Sequence, residues 1–342
     1  MKSFTAIITT SLAVIAVLTL LSTPRANGAS EPIVVKFSHV VANDTPKGKA
    51  ALKFKELAEQ ATGGRVKIEI YPNSTLYKDK EELEALQLGQ VQMLAPAVSK
   101  FGPLGVREFE VFDLPYLFDG YAELHTVTQG AVGKWLFKKL EPRGVTGLAY
   151  WDNGFKVISA NKSVRLPADF KGLKLRIQAS KVLDAQMRAL GAIPQVMAFS
   201  EVYQALQMGV VDATENPPSN FYTQKMQEVQ RYVTVSNHGY LGYAVVVNKL
   251  FWDGLPPIIR GQLEEALKTT TDYANLIAKQ ENDAALEAVR QSGRCEVYWL
   301  TEAEKREWKR VLIPVHRGQE NRIGKELIDM CYAATGFDPE RL

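Results

Sequence analysis

Two short segments of this chain echo each other. Residues 85–91 read Ala-Leu-Gln-Leu-Gly-Gln-Val, and residues 205–211 read Ala-Leu-Gln-Met-Gly-Val-Val. Each follows helix-forming sequence and precedes a short strand-like run. Each reads as an amphipathic helix ended by a glycine (Gly89, Gly209) able to take the left-handed conformation that closes a helix. Two such helix–Gly–strand units point to two lobes with similar wiring. A ligand would then sit between the lobes, where strand ends converge.

The rest of the pattern is mixed α/β. Residues 34–37 read as a buried strand. Asp44 can cap a helix with Pro46 in its first turn and Ala51, Phe54, Leu57, Ala58 and Ala61 at helical spacing, stopped by Gly63-Gly64. Val66, Ile68 and Ile70 then alternate with Lys67 and Glu69, a half-buried strand. That β-α-β unit predicts an α/β fold. Strands are expected over 145–150 and 155–160, with Trp151-Asp152-Asn153-Gly154 as a turn between them where the chain crosses between lobes. Residues 240–248 would bring it back. After Pro256-Pro257 a helical pattern runs to about Gln291, long enough to act as a strut. A strand over 296–300 and a Thr301-capped helical tail finish the chain.

The N-terminus places Lys2 before an apolar stretch, then Pro24, Arg25 and the small residues Ala26-Asn27-Gly28-Ala29. This order predicts a signal peptide over residues 1–28, an uncleaved anchor being the alternative. Removing it takes two of the 41 basic residues and none of the 38 acidic ones, leaving 39 against 38. A nearly neutral chain argues against nucleic acid as a partner. An oxidising exported compartment permits a disulfide between the two cysteines, Cys295 and Cys331. Their pairing is left open by the sequence.

The four histidines, His39, His125, His238 and His316, make no metal-binding spacing. No nucleophile elbow, phosphate loop or dinucleotide fingerprint is found. No metal or cofactor is expected, and the chain reads as a binding protein rather than an enzyme.

Four blocks carry a family resemblance: DTPKGKAALKFKELAEQATGG (44–64), WDNGFKVISANKS (151–163), DFKGLKLRIQASKVLDAQMRALGA (169–192) and AFSEVYQALQMGVVDATENPPSN (198–220). They resemble the extracytoplasmic solute receptors of tripartite ATP-independent periplasmic (TRAP) transporters, and among these the branch that binds C4-dicarboxylates. The resemblance spans essentially the whole chain after the signal. It implies a two-lobed periplasmic clamp with mixed sheets, crossover strands and a long helix spanning both lobes. It also implies delivery of a small organic acid to small and large membrane subunits, with uptake driven by an ion gradient. A monomer is expected. The lobes would comprise 29–152 with 242–281, and 153–241 with 282–342.

The resemblance assigns site residues. The arginine of the G-L-K-x-R segment, Arg176, would bind the substrate carboxylate. The residues alone show a strand on which Leu173, Leu175 and Ile177 alternate with Lys174, Arg176 and Gln178, and would leave Arg176 on a solvated face. A guanidinium presents a planar fork that matches both carboxylate oxygens. Asn216, in T-E-N-P, matches a binding asparagine. Lys156 stands where relatives often carry arginine, replacing a fork with a point charge. Phe199 matches an aromatic that covers ligand, its alternative being a plain core role.

From the first lobe, Lys47 would add its ammonium to the positive end of a helix dipole, solvent exposure being its alternative. Ala97 and Lys100 border the cleft in relatives. Tyr240 is a candidate phenol donor, and Gln178 shares the face of Arg176. His39 follows a strand and is a candidate for the cleft, a structural histidine being the alternative. The expected ligand is succinate, fumarate or malate. A keto, sugar or aromatic acid is the alternative within the family, and a periplasmic enzyme or sensor-input protein the alternative of another class.

Overall fold

The computed structural model describes residues 31–341, so the signal peptide expected over 1–28 lies outside the described residues. The β-α-β unit forms as patterned. Strand β1 (Ile33–Ser38) leads to helix α1 (Pro46–Ala61), which buries Ala50, Ala51, Phe54 and Ala58. Thr45, not Asp44, caps α1: its hydroxyl accepts from the Gly48 N–H at 3.1 Å. Strand β2 (Val66–Tyr71) then pairs parallel with β1.

Helix α2 (Glu82–Gln87) ends at Gly89, whose φ of 72° is the left-handed conformation expected from the sequence. The Gln90 N–H closes the turn on the Ala85 carbonyl at 2.9 Å. In the second echo Gly209 has φ 68°, and the Val210 N–H meets the Ala205 carbonyl at 2.9 Å. Similar sequence has produced matching caps.

The wiring around the two echoes matches as well. The remaining strands are β3 (Met93–Leu94), β4 (Val145–Phe155), β5 (Val157–Ala160), β6 (Lys174–Ile177), β7 (Ile193–Val196), β8 (Ala213–Asn216), β9 (Tyr232–Val235), β10 (Tyr240–Asn248) and β11 (Glu296–Trp299). The first sheet has the order β2-β1-β3-β10-β4 and the second β11-β9-β5-β8-β6-β7. Read from the other edge, the second is β7-β6-β8-β5-β9 plus β11. In each sheet the first three strands run parallel to one another, and the fourth runs antiparallel to both of its neighbours. The lobes are therefore two versions of one arrangement, each contributing its crossing strand to the other's sheet order: β10 returns late to the first sheet, and β5 enters the second early.

The helix Pro257–Gln291 has 35 residues and is about 52 Å long. Its Leu263, Ala266, Leu267 and Ala274 pack with Phe37 and Trp151 in the first lobe. Further along, Val289 packs with Phe199 and Val233 in the second. One rigid element thus belongs to both cores.

Three expectations need correction. Trp151 to Gly154 do not form a turn: β4 runs on through Phe155, pairing with Tyr240, because β10 supplies a continuous antiparallel partner. The chain therefore changes sheet between Phe155 and Val157, not at 152/153, and Tyr240 and Leu241 already lie in the first sheet. The tail does not stay in the second lobe. Ile323, Leu327, Ile328 and Cys331 pack with Phe109 and Phe112 of the first lobe. For the same reason Cys295 and Cys331 form no disulfide. Both are free and buried, Cys295 among Val233 and Val289, Cys331 in the first-lobe core.

Candidate functional site

A narrow cavity lies between the lobes. Lys47, Asp79, Ala97 and Lys100 line it from the first lobe, Arg176, Gln178, Phe199, Asn216 and Asn220 from the second, and Tyr243 from the returning strand. Its free volume is only about 10 Å³, close to what one water needs. The lobes are therefore tightly closed, and a four-carbon acid enters only if they part.

Lys47 occupies the first turn of α1 and is 1% exposed. Its Nζ donates to the Ala95 carbonyl at 2.9 Å and lies 3.8 Å from the centre of the Tyr243 ring. No carboxylate lies within ion-pair distance among the described residues. Burial and the Lys100 charge pull the ammonium down to about 7, against the attraction of Glu82 and Asp79.

Arg176 is 2% exposed, so the solvated face suggested by strand alternation does not exist. Leu175, Arg176 and Ile177 are all buried because β6 lies between β8 and β7, inside the sheet. Its Nε and Nη2 donate to the Met197 carbonyl at 3.0 and 2.9 Å, and its guanidinium carbon lies 5.7 Å from the centre of the Phe199 ring. It too has no carboxylate within ion-pair distance among the described residues. Burial lowers its pKa, opposed by the more distant charges of Asp79 and Glu215.

Lys100 differs. It is paired with Asp79, and with Glu82 at 2.6 Å. Burial would lower this ammonium, but the two carboxylates raise it. Burial would likewise raise Asp79, yet Lys100, Arg176 and the Phe199 N–H hold it at about 2. Two buried cations, Lys47 and Arg176, thus remain without a counterion among the described residues. A buried charge left unpaired costs several kcal/mol.

Amides fill the gap between them. The Asn216 Nδ2 donates to Thr214 Oγ1 at 3.1 Å, while Gln178 Oε1 and Asn220 Oδ1 have no hydrogen-bond partner among the described residues. An amide can donate or accept, so these groups suit a carboxylate or a hydroxyl.

Seven of the ten expected site residues meet at this cavity: Lys47, Ala97, Lys100, Arg176, Gln178, Phe199 and Asn216. Three do not. Lys156 is buried, its Nζ on Glu215 Oε1 at 2.7 Å, and Glu215 Oε2 lies 3.0 Å from His238 Nε2. Tyr240 donates to Asp152 Oδ1 at 2.7 Å and packs against Phe118 and Phe155. His39 is fully buried with neither ring nitrogen bonded, edge-on to Phe37. Burial and the Lys47 charge lower it to about 3, so it is neutral. Sequence reasoning missed Asp79, Asn220 and Tyr243. The echo held a signal for two of them: its 120-residue offset maps Phe199 onto Asp79 and Lys100 onto Asn220.

Known proteins resemble this chain over most of its length. A 66% identical relative, matching over 90% of this chain and 92% of its own length, is the C4-dicarboxylate-binding periplasmic protein DctP of Rhodobacter capsulatus. Two solved structures are similar. A TRAP periplasmic solute binding protein from Shewanella oneidensis with bound succinate superposes with a TM-score of 0.87 at 42% identity, covering 89% of this chain and 99% of that one. Another from Pseudomonas aeruginosa with bound L-malate gives 0.82 at 42% identity, covering 84% and 100%. Residues 37–322 match the bacterial extracellular solute-binding protein family 7, DctP. With the two-lobed fold, the interlobe cavity and these matches together, the chain belongs to the DctP family of TRAP solute-binding proteins.

Proposed function

We propose that this protein captures a C4-dicarboxylate such as succinate, fumarate or malate in the periplasm and hands it, unchanged, to the small and large membrane subunits of a TRAP transporter. Arg176 and Asn216 hold one carboxylate, and Lys47 holds the other. The observation that carries this reading is the pair of buried cations, one from each lobe, that lack a counterion among the described residues. A dianion between the lobes completes both, with the clamp closed around it and the cavity wider than the roughly 10 Å³ seen here. Ligand therefore favours closure through contacts made to two lobes at once. The succinate and L-malate bound to the similar solved structures support the ligand class.

Of the two lysines, Lys47 rather than Lys156 is free to meet the second carboxylate, because Lys156 is already neutralised by Glu215. A charge-assisted hydrogen bond contributes about 1.5–3 kcal/mol, and micromolar affinity needs about 8. Both ends and the amides are required. Calorimetry of the mature protein against a panel of acids tests this. Micromolar binding of succinate or malate with weak binding of butyrate is expected. Tight monocarboxylate binding without C4-diacid binding would refute the dicarboxylate assignment.

A further inference from the structure

Beside the narrow cavity lies a chamber of about 490 Å³, within the roughly 300–1,000 Å³ range of ligand clefts. The two share a wall made of Asp79, Lys100, Arg176 and Gln178. The other chamber walls are mostly apolar: Leu83, Pro103 and Leu104 from the first lobe, and Val196, Met197 and Ala198 from the second. Val196 is 53% exposed, so its side chain is open to the chamber and to solvent. Arg176 therefore stands at a boundary, with a cationic polar site on one side and a roomier apolar space on the other.

We infer that the chamber is a second subsite, which takes the apolar tail of a monocarboxylate whose head group lies on Arg176. The inference rests on the reading of Arg176 as a carboxylate clamp. Charge favours the head group at the inner end. With Lys100 and Asp79 paired to each other, two cations (Lys80, Arg176) line the chamber against one carboxylate (Glu84). Room favours the tail here, because the inner cavity is almost full. Such a ligand does not reach Lys47, which lines the inner cavity only. Short diacids and longer aliphatic or aryl-alkyl monoacids thus share Arg176 and diverge from it in opposite directions.

The test is calorimetry of succinate and 4-phenylbutyrate with the mature protein and four variants. Leu104→Glu and Val196→Glu place a charge in the apolar wall and should weaken 4-phenylbutyrate by about tenfold or more. They should leave succinate within about twofold, a result that also shows each variant is folded. Lys47→Met should do the reverse, and Arg176→Ala should weaken both. Failure of 4-phenylbutyrate to bind a protein that binds succinate overturns the inference. So does 4-phenylbutyrate binding that falls with Lys47→Met but not with the wall variants. Failure of succinate alone, with wall-sensitive 4-phenylbutyrate binding retained, overturns the dicarboxylate reading and leaves the chamber standing.

Discussion

Asp79 and Phe199 lie 120 residues apart, at corresponding places in the two lobes, and are bonded to each other across the cleft. Asp79 Oδ2 accepts from the Phe199 backbone N–H at 2.7 Å, while its other oxygen meets Lys100. Close by, Lys78 and Glu201 approach to 3.3 Å. That second pair is half exposed and contributes little. The first is mostly buried and joins the lobes directly beside Arg176. Asp79→Ala should therefore loosen the closed state and weaken succinate by about tenfold. Calorimetry, with small-angle scattering of the bound form, checks this. Unchanged affinity would make the Asp79–Phe199 bond incidental to closure.

Lys47 makes binding depend on pH. Its ordinary value of 10.5 is lowered to about 7. A bound carboxylate favours the ammonium and raises it again, so binding takes up a proton near neutrality. Affinity for succinate should fall as pH rises from about 6 to about 8.5, by at most about tenfold per unit. Asp79, held at about 2, and Lys100, raised, keep their charges throughout that window. Lys47→Met should weaken binding and flatten the profile. A wild-type profile that is already flat would remove Lys47 from the site.

The buried pair of Lys156 and Glu215 predicts a stability effect of another kind. Burial would raise Glu215, but Lys156 and His238 hold it at about 2. Glu215→Gln leaves the Lys156 ammonium buried without its counterion and should cost about 3–5 kcal/mol, seen as a lower denaturant midpoint. A loss of succinate binding with no change in midpoint would place Lys156 at the ligand after all.

Cys295 and Cys331 lie in separate cores, and burial raises both thiols, Cys295 to about 11 and Cys331 to about 12. Reductant should leave the melting temperature unchanged. Thiol reagents should label two groups in denaturant and almost none in the native protein. A melting temperature lowered by reductant would indicate a disulfide.

What the sequence made legible follows from the range of each signal. The local patterns that held, the caps at Gly89 and Gly209 and the helix from Pro257 to Gln291, depend on neighbours within a turn or two. Arg176 and Asn216 were legible through family resemblance, not alternation, because β6 is buried along its length and alternation cannot tell a solvated face from an interlobe one. Lys156 and Tyr240 were misplaced for one reason. Their partners, Glu215 and Asp152, lie 59 and 88 residues away, and only the folded sheets bring them together. Tyr243 was missed because it points inward from a strand whose nine residues are all buried, where no periodicity marks a face.

The central claim is that one dicarboxylate joins Arg176 and Lys47 across the cleft. A crystal structure of the mature protein with succinate tests it most directly. One carboxylate should lie on the Arg176 guanidinium and the Asn216 amide, and the other within hydrogen-bond distance of Lys47 Nζ. Succinate held with neither carboxylate on Arg176, or with its second carboxylate on Lys156 and Lys47 left unbound, would contradict the account.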